Sequence, residues 1–156
     1  MADAYVTALR LLARRELSAE QVRTRLARRA FEPADIESAV ARLQEEHALD
    51  DRRTALACAR TEAQVKRHGR LRALRAVEAL GIDRRVARDA VAEVFGELDE
   101  NTLIGQALDR RLRNGVTLED GAAARRIHRY LRAQGFDAGR VDAAIRSRRK
   151  STFDDD

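Results

Sequence analysis

Two groups of cationic side chains are the residues best placed to do chemistry. Lys66, Arg67, Arg70, Arg72 and Arg75 crowd around Gly69. Arg125, Arg129 and Arg132 recur at i, i+4 and i+7, the spacing that puts side chains on one stripe of a helix. A guanidinium presents a rigid fork of donors that matches a phosphate or a carboxylate. Either group alone reads equally well as a solvated face. Both together, on equivalent helices of successive repeats, point to one long basic surface suited to a phosphate backbone or an acidic protein groove. Aromatic residues make up only 4% of the chain, which leaves no stacking platform for reading single-stranded bases.

Other reactive residue types lack the companions that catalysis needs. There is no Gly-rich phosphate loop, no paired-Cys motif and no His-Glu-x-x-His signature. His47, His68 and His128 are scattered along the chain, and His128, between Ile127 and Tyr130, reads as a packing or surface residue. Cys58 sits in the run Ala55-Leu56-Ala57-Cys58-Ala59 with no histidine beside it, so it reads as a small buried hydrophobe rather than a nucleophile. Asp50 and Asp51 resemble a carboxylate pair, but helix capping explains them. The expectation is a binding protein rather than an enzyme, with no cofactor and no metal.

The charge is segregated. The net is +5, and arginine supplies 29 of the 31 basic side chains. Residues 60–88 hold nine basic and three acidic side chains, a net of +6, whereas residues 32–51 hold seven acidic and one basic, a net of −6. Such blocks make patches that steer charged partners. A single cysteine excludes an internal disulfide and suits a reducing compartment. Met1 runs straight into Ala2-Asp3 and an amphipathic segment, and no apolar run reaches the roughly 20 residues of a membrane span. A cytoplasmic location follows as an expectation.

The elements that carry these residues come from an internal repeat. Leu26, Ala30-Phe31, Ile36 and Ala39-Val40 recur 105 positions later as Leu131, Gly135-Phe136, Val141 and Ala144-Ile145. A weaker copy lies between them at Val77, Gly81-Ile82 and Ala90-Val91. Each copy reads as a helix end, a tight turn and a new helix. Phe31 and Phe136 take the place of a hydrophobic staple over Ile36 and Val141, both buried, with Glu32 and Asp137 at the N-caps and Pro33 at the first helical position. Asp3, Asp50 and Asp99 open units of about 47–49 residues.

The fold expected is all-α: three tandem three-helix repeats in an elongated, curved array, a monomer. The units are residues 3–48, 49–97 and 98–150, followed by an acidic disordered tail at 151–156. In the first, one helix behind Asp3 ends near Glu16, a second begins at Ser18 with a Gln21 capping box, and a third runs from Pro33 to about Glu46. In the second, helices span about Asp51–Arg67, Arg70–Leu80 and Asp83–Phe95, with a break at Gly69. In the third they span about Asn101–Arg113, Leu118–Gln134 and Ala138–Arg149.

The sequence resembles the RecX regulators of the bacterial recombinase RecA. The likeness lies in the thrice-repeated unit, in Ala8-Leu9-Arg10-Leu11-Leu12-Ala13-Arg14-Arg15-Glu16 followed by Ser18, and in Leu49-Asp50-Asp51. Gly69 and Arg72 before Gly81-Ile82, and Ile127…Tyr130-Leu131…Gly135-Phe136, fit the same pattern. The family pattern differs at His47 and Ala48, where it has Gly and Tyr, at Thr54, where it has an aromatic, and at Arg70, where it has Pro. Leu74 stands for its second Arg, with Arg75 one place on, and Ala76 for the Glu that follows. The resemblance implies a protein that lies in the groove of the RecA filament on single-stranded DNA, bridges protomers, and suppresses strand exchange and the ATPase and coprotease activities. Direct contact with DNA phosphates is left open. The competing class is a stand-alone nucleic-acid-binding or scaffold protein that shares the repeat only.

Overall fold

The computed structural model describes residues 3–154. Nine α-helices and no strand occur among the described residues: α1 (Ala4–Leu12), α2 (Ala19–Ala27), α3 (Pro33–Glu45), α4 (Asp51–Arg60), α5 (Arg70–Glu78), α6 (Arg84–Gly96), α7 (Glu100–Arg113), α8 (Gly121–Ala133) and α9 (Ala138–Asp154). A π-helical turn, Thr61–Val65, continues α4. No helix among the described residues is long and apolar enough to cross a membrane.

Short acids start the helices because their oxygens reach the unpaired N–H groups of the first turn. Asp3 accepts from Tyr5 N at 2.8 Å, Asp50 from Arg53 N at 3.0 Å, and Asp99 from Asn101 N at 2.9 Å. Ser18 and Gln21 form the expected reciprocal box. Asp137 accepts from Arg140 N at 3.1 Å. Glu32 stands at its N-cap position but makes no side-chain cap bond. Its extra methylene carries the carboxylate past the geometry that aspartate reaches.

The boundaries depart from expectation where long-range burial intervenes. α1 stops at Leu12, and the chain turns so that Leu17 is buried. α8 begins at Gly121, behind an Asp120 cap, because Leu118 is buried ahead of the helix. The long helix expected to reach Arg67 changes register at Thr61, where Lys66 N donates to Thr61 O at 3.0 Å across five residues. α9 passes Arg149 and stays helical to Asp154, with Ser151 Oγ bonded to Ser147 O. Residues 151–154, assigned from sequence to a tail, are thus helical, and 155–156 lie outside the described residues.

Helix-on-helix packing falls into three trios, α1–α3, α4–α6 and α7–α9. The first closes on its own core, which includes Ala8, Leu17, Val22, Leu26, Val40 and Leu43. The second and third share one continuous core, from Ala55 and Val77 through Phe95 and Ile104 to Leu131 and Phe136. Phe136 is 1% exposed, as expected. Phe31 is not its equal. It is only half-buried, with open clefts on both sides, because no earlier unit covers the first turn.

The trios join where the start of one second helix meets the turn after the next second helix. Ser18 Oγ donates to Leu80 O, and Ala19 N donates to Asp51 Oδ1 at 2.8 Å. One unit on, Gly69 N donates to Gln134 O at 2.8 Å and Leu71 N to Gly135 O at 3.2 Å. A Cβ on Gly69 would come within 2.6 Å of Phe136 N, and one on Gly135 within 2.6 Å of Arg72 Cβ. Gly135 also has φ +95, so the turn needs glycine on both counts.

Candidate partner-binding surface

The Gly69 segment is built from the π turn upward. Wider winding swings Glu62 inward, where it is 4% exposed. Lys66 and His68 hold it there. Lys66 Nζ lies 2.5 Å from Glu62 Oε1 and His68 Nδ1 lies 2.6 Å from Glu62 Oε2. Burial works to raise the Glu62 carboxyl, but hydrogen bonds and charge from His68 and Lys66 outweigh it and leave it below its ordinary value. Arg67 then takes a left-handed backbone, φ 61, which turns the chain into α5.

The five cations do not form one free cluster. Lys66 is occupied by Glu62. Arg67 reaches α7, where Nη1 donates to Gln106 Oε1 at 3.0 Å. Arg70 pairs with Glu100 at 2.9 Å, and that carboxylate is only 11% exposed. Arg72 donates to Gln134 Oε1 at 3.2 Å. Arg75 is exposed and has no side-chain partner among the described residues. Four of the five therefore tie the second trio together or dock it on the third; Arg72 stays exposed while doing so, and Arg75 alone of the five has no side-chain partner among the described residues. Arg70 stands exposed at the start of α5 but is already paired.

Arg125, Arg129 and Arg132 are exposed on the face of α8 opposite its buried Ala123, Ile127 and Leu131. This helix ends at Gln134, the partner of Arg72, so the two basic groups adjoin. Two apolar residues that the sequence pattern does not mark also belong to this surface. Val65 is 74% exposed and Leu71 47%, and both stand among the cations around Gly69. Their only sequence signal is an apolar residue out of phase with the core spacing.

Of the remaining candidates, His128 Nε2 pairs with Asp142 at 3.1 Å across α8 and α9, a packing role. Cys58 is half-buried, and burial, then the Glu62 charge, pushes its thiol up, away from the reactive thiolate. Asp50 caps α4 and Asp51 receives Ala19 N from the first trio. Thr54, in the place of a family aromatic, is buried and bonds Leu17 O at 3.4 Å and Asp50 O at 3.1 Å.

Three three-helix units joined at their turns, with the open basic residues on second helices, define a helical-repeat protein. A family model described as "RecX, first three-helix domain" matches residues 4–43. The regulatory protein RecX of Thermus thermophilus is 37% identical over 137 residues, covering 88% of this chain and 86% of that protein. The regulatory protein RecX of Syntrophotalea carbinolica is 32% identical over 143 residues, covering 86% of this chain and 88% of its own length. The crystal structure of RecX from Lactobacillus salivarius superposes with a TM-score of 0.82 at 19% identity, covering 92% of this chain and 93% of that one, a likeness of fold. The chain belongs to the RecX family.

Proposed function

We propose that the protein regulates the RecA recombinase by binding and not by catalysis. It lies along the RecA filament on single-stranded DNA, in the cytoplasm and as a monomer, and inhibits the recombinase, ATPase and coprotease activities. Residues 3–48, 49–97 and 98–150 are its three binding units. Family membership supports the choice of target. The observation that carries the choice of surface is the pairing of open cations with open apolar side chains at the second junction. Arg72 and Arg75 are exposed beside Val65 and Leu71. Arginine interleaved with apolar area is the composition of protein interfaces.

The test is a double reversal, Arg72→Glu with Arg75→Glu. Neither side chain holds a carboxylate, so folding should persist, whereas reversing Arg70 would set two carboxylates against each other at Glu100. Fluorescence anisotropy should show weakened binding to the RecA filament, a shallower salt dependence, and lost inhibition of RecA ATPase. A variant that inhibits like the parent removes this surface and leaves the stripe of Arg125, Arg129 and Arg132. A parent that binds naked strand as well as filament favours the stand-alone nucleic-acid binder instead.

A further inference from the structure

The second helices of the three units meet end to end. The turn after α8 receives the start of α5 through Gln134 O and Gly135 O, and the turn after α5 receives the start of α2 through Leu80 O. α8, α5 and α2 thus follow one another end to start, against the order of the chain, with a contour on the order of 45 Å at ~1.5 Å per residue. The first two members carry the exposed arginines already described. The third carries its own set, which sequence spacing does not reveal because one member comes from outside the helix.

Arg28 and Arg29 are exposed at the end of α2, Arg25 is half-buried one turn earlier, and Arg15 is exposed on the segment after α1. Arg25 Nη1 donates to Gln21 O at 3.2 Å and Arg29 Nη1 to Arg25 O at 2.9 Å, so each uses only a backbone carbonyl of its own helix. Arg15 and Arg28 have no side-chain partner among the described residues. Neighbouring acids are committed elsewhere: Glu20 and Glu37 to Arg23, and Glu16 to Arg53. Burial first, then the charges of Arg15, Arg28 and Arg29, lower the Arg25 pKa. The negative end of the α2 dipole attracts these cations, and its carbonyls take one donor each from Arg25 and Arg29, leaving the rest of both forks open. Beside them, a cleft of about 310 Å³ opens between α2 and the turn at Ala79–Gly81, with Arg25 and Arg28 in its wall and Glu20, which faces Arg23 at 3.8 Å, as its one acid. None of the exposed large hydrophobics, Val6, Val65 and Leu71, lies on α2. Cations without apolar company suit a phosphate backbone better than a protein groove.

We infer that Arg15, Arg25, Arg28 and Arg29 form a contact for the phosphate backbone of a single-stranded nucleic acid, continuing the basic line of α8 and α5 across the first unit. This deepens the proposed function and rests on it for the biological setting. The binding chemistry stands apart, so it is tested without RecA. The probe is a fluorescent oligothymidylate, titrated across a salt series with the full chain carrying Arg25→Gln, Arg28→Gln and Arg29→Gln. The charge-matched control carries Arg84→Gln, Arg85→Gln and Arg88→Gln on the exposed face of α6. Each lost phosphate contact lowers the log–log salt slope by about 0.7, so the α2 triple should lose about 2 and the control little. Low-salt affinity should drop roughly tenfold or more for the α2 triple alone. If it melts early, Arg28→Gln with Arg29→Gln keeps the half-buried arginine and should lose proportionately less slope. Equal losses in both triples would overturn the site in favour of net charge, and an unchanged slope would remove it. Filament binding lost with the oligothymidylate slope intact would assign these arginines to protein carboxylates and overturn the phosphate contact. Failure of the parent to prefer filament over naked strand would instead remove the regulator reading and leave the slope result standing.

Discussion

The two junctions of the array solve one stacking problem by different means. At the first, side chains do the joining: Ser18 Oγ to Leu80 O, Ala19 N to Asp51, Arg53 to Glu16, with Thr54 filling the gap to Leu17 O. At the second, backbone meets backbone, Gly69 against Gly135, over an apolar core that runs unbroken from α4 to α9. Hydrogen bonds across this seam contribute about 1 kcal/mol each and leave two separate cores that can open separately. A shared core makes the units beneath it one cooperative body. The array should therefore behave as one unit attached to a pair.

The largest effect should come from the shared core. Truncating Phe136 to Ala removes a side chain that is 1% exposed, at a cost of about 3–5 kcal/mol, and should melt α4–α9 together. The matching Phe31→Ala should cost only about 1–2 kcal/mol, since that ring is only partly buried. Urea denaturation of both variants checks the ratio. Equal costs would mean that the first turn is covered after all.

Next comes the backbone contact. Gly135→Ala adds a left-handed penalty of roughly 1–2 kcal/mol to a collision with Arg72, worth another 1–3 kcal/mol. The expected sum is about 3 kcal/mol, read as a lower denaturant midpoint together with lost amide protection at Leu71. Normal protection at Leu71 would show that the junction slides to accommodate a methyl.

Seam variants should cost less and act more locally. Asp51→Ala removes one side-chain bond worth about 1 kcal/mol, and Ser18→Ala removes both its seam bond to Leu80 O and its cap on Gln21 N, about 2 kcal/mol together. Hydrogen exchange should quicken in α1–α3 while α4–α9 keep their protection. Equal quickening throughout would erase the distinction between the junctions.

These differences mark how far the sequence could be read. Caps at Asp3, Ser18, Asp50 and Asp99 were legible because they are settled within four residues, and the glycine turns because a helix end is a local event. The partners of Arg67 and Arg70 were not, since Gln106 and Glu100 lie 39 and 30 residues away. The π turn has no signature of its own and goes with the burial of Glu62 beneath Lys66 and His68. The repeat told which positions correspond but not which end of the array is bare, so Phe31 was expected to be as buried as Phe136. The arginines of α2 escaped notice for a similar reason: only the end-to-end meeting of second helices makes them neighbours of the α5 set.

The smallest effect is the most discriminating. Ala30 occupies the position of Gly81 and Gly135 and holds the same left-handed backbone, φ 59, yet it is exposed and no earlier unit presses on it. Its methyl therefore meets no collision and bears only the conformational penalty, roughly 1–2 kcal/mol. Ala30→Gly should relieve that penalty while giving back about 0.4–1 kcal/mol through the greater freedom of the unfolded chain. The expected net is a stabilisation of less than about 1 kcal/mol, seen as a slightly higher urea midpoint. One turn type would then respond in opposite senses to the same pair of residues, since glycine to alanine harms the stacked copy and alanine to glycine helps the bare one. A loss above about 1 kcal/mol in Ala30→Gly would mean that the methyl is packed, and that the first unit is not the open end of the array.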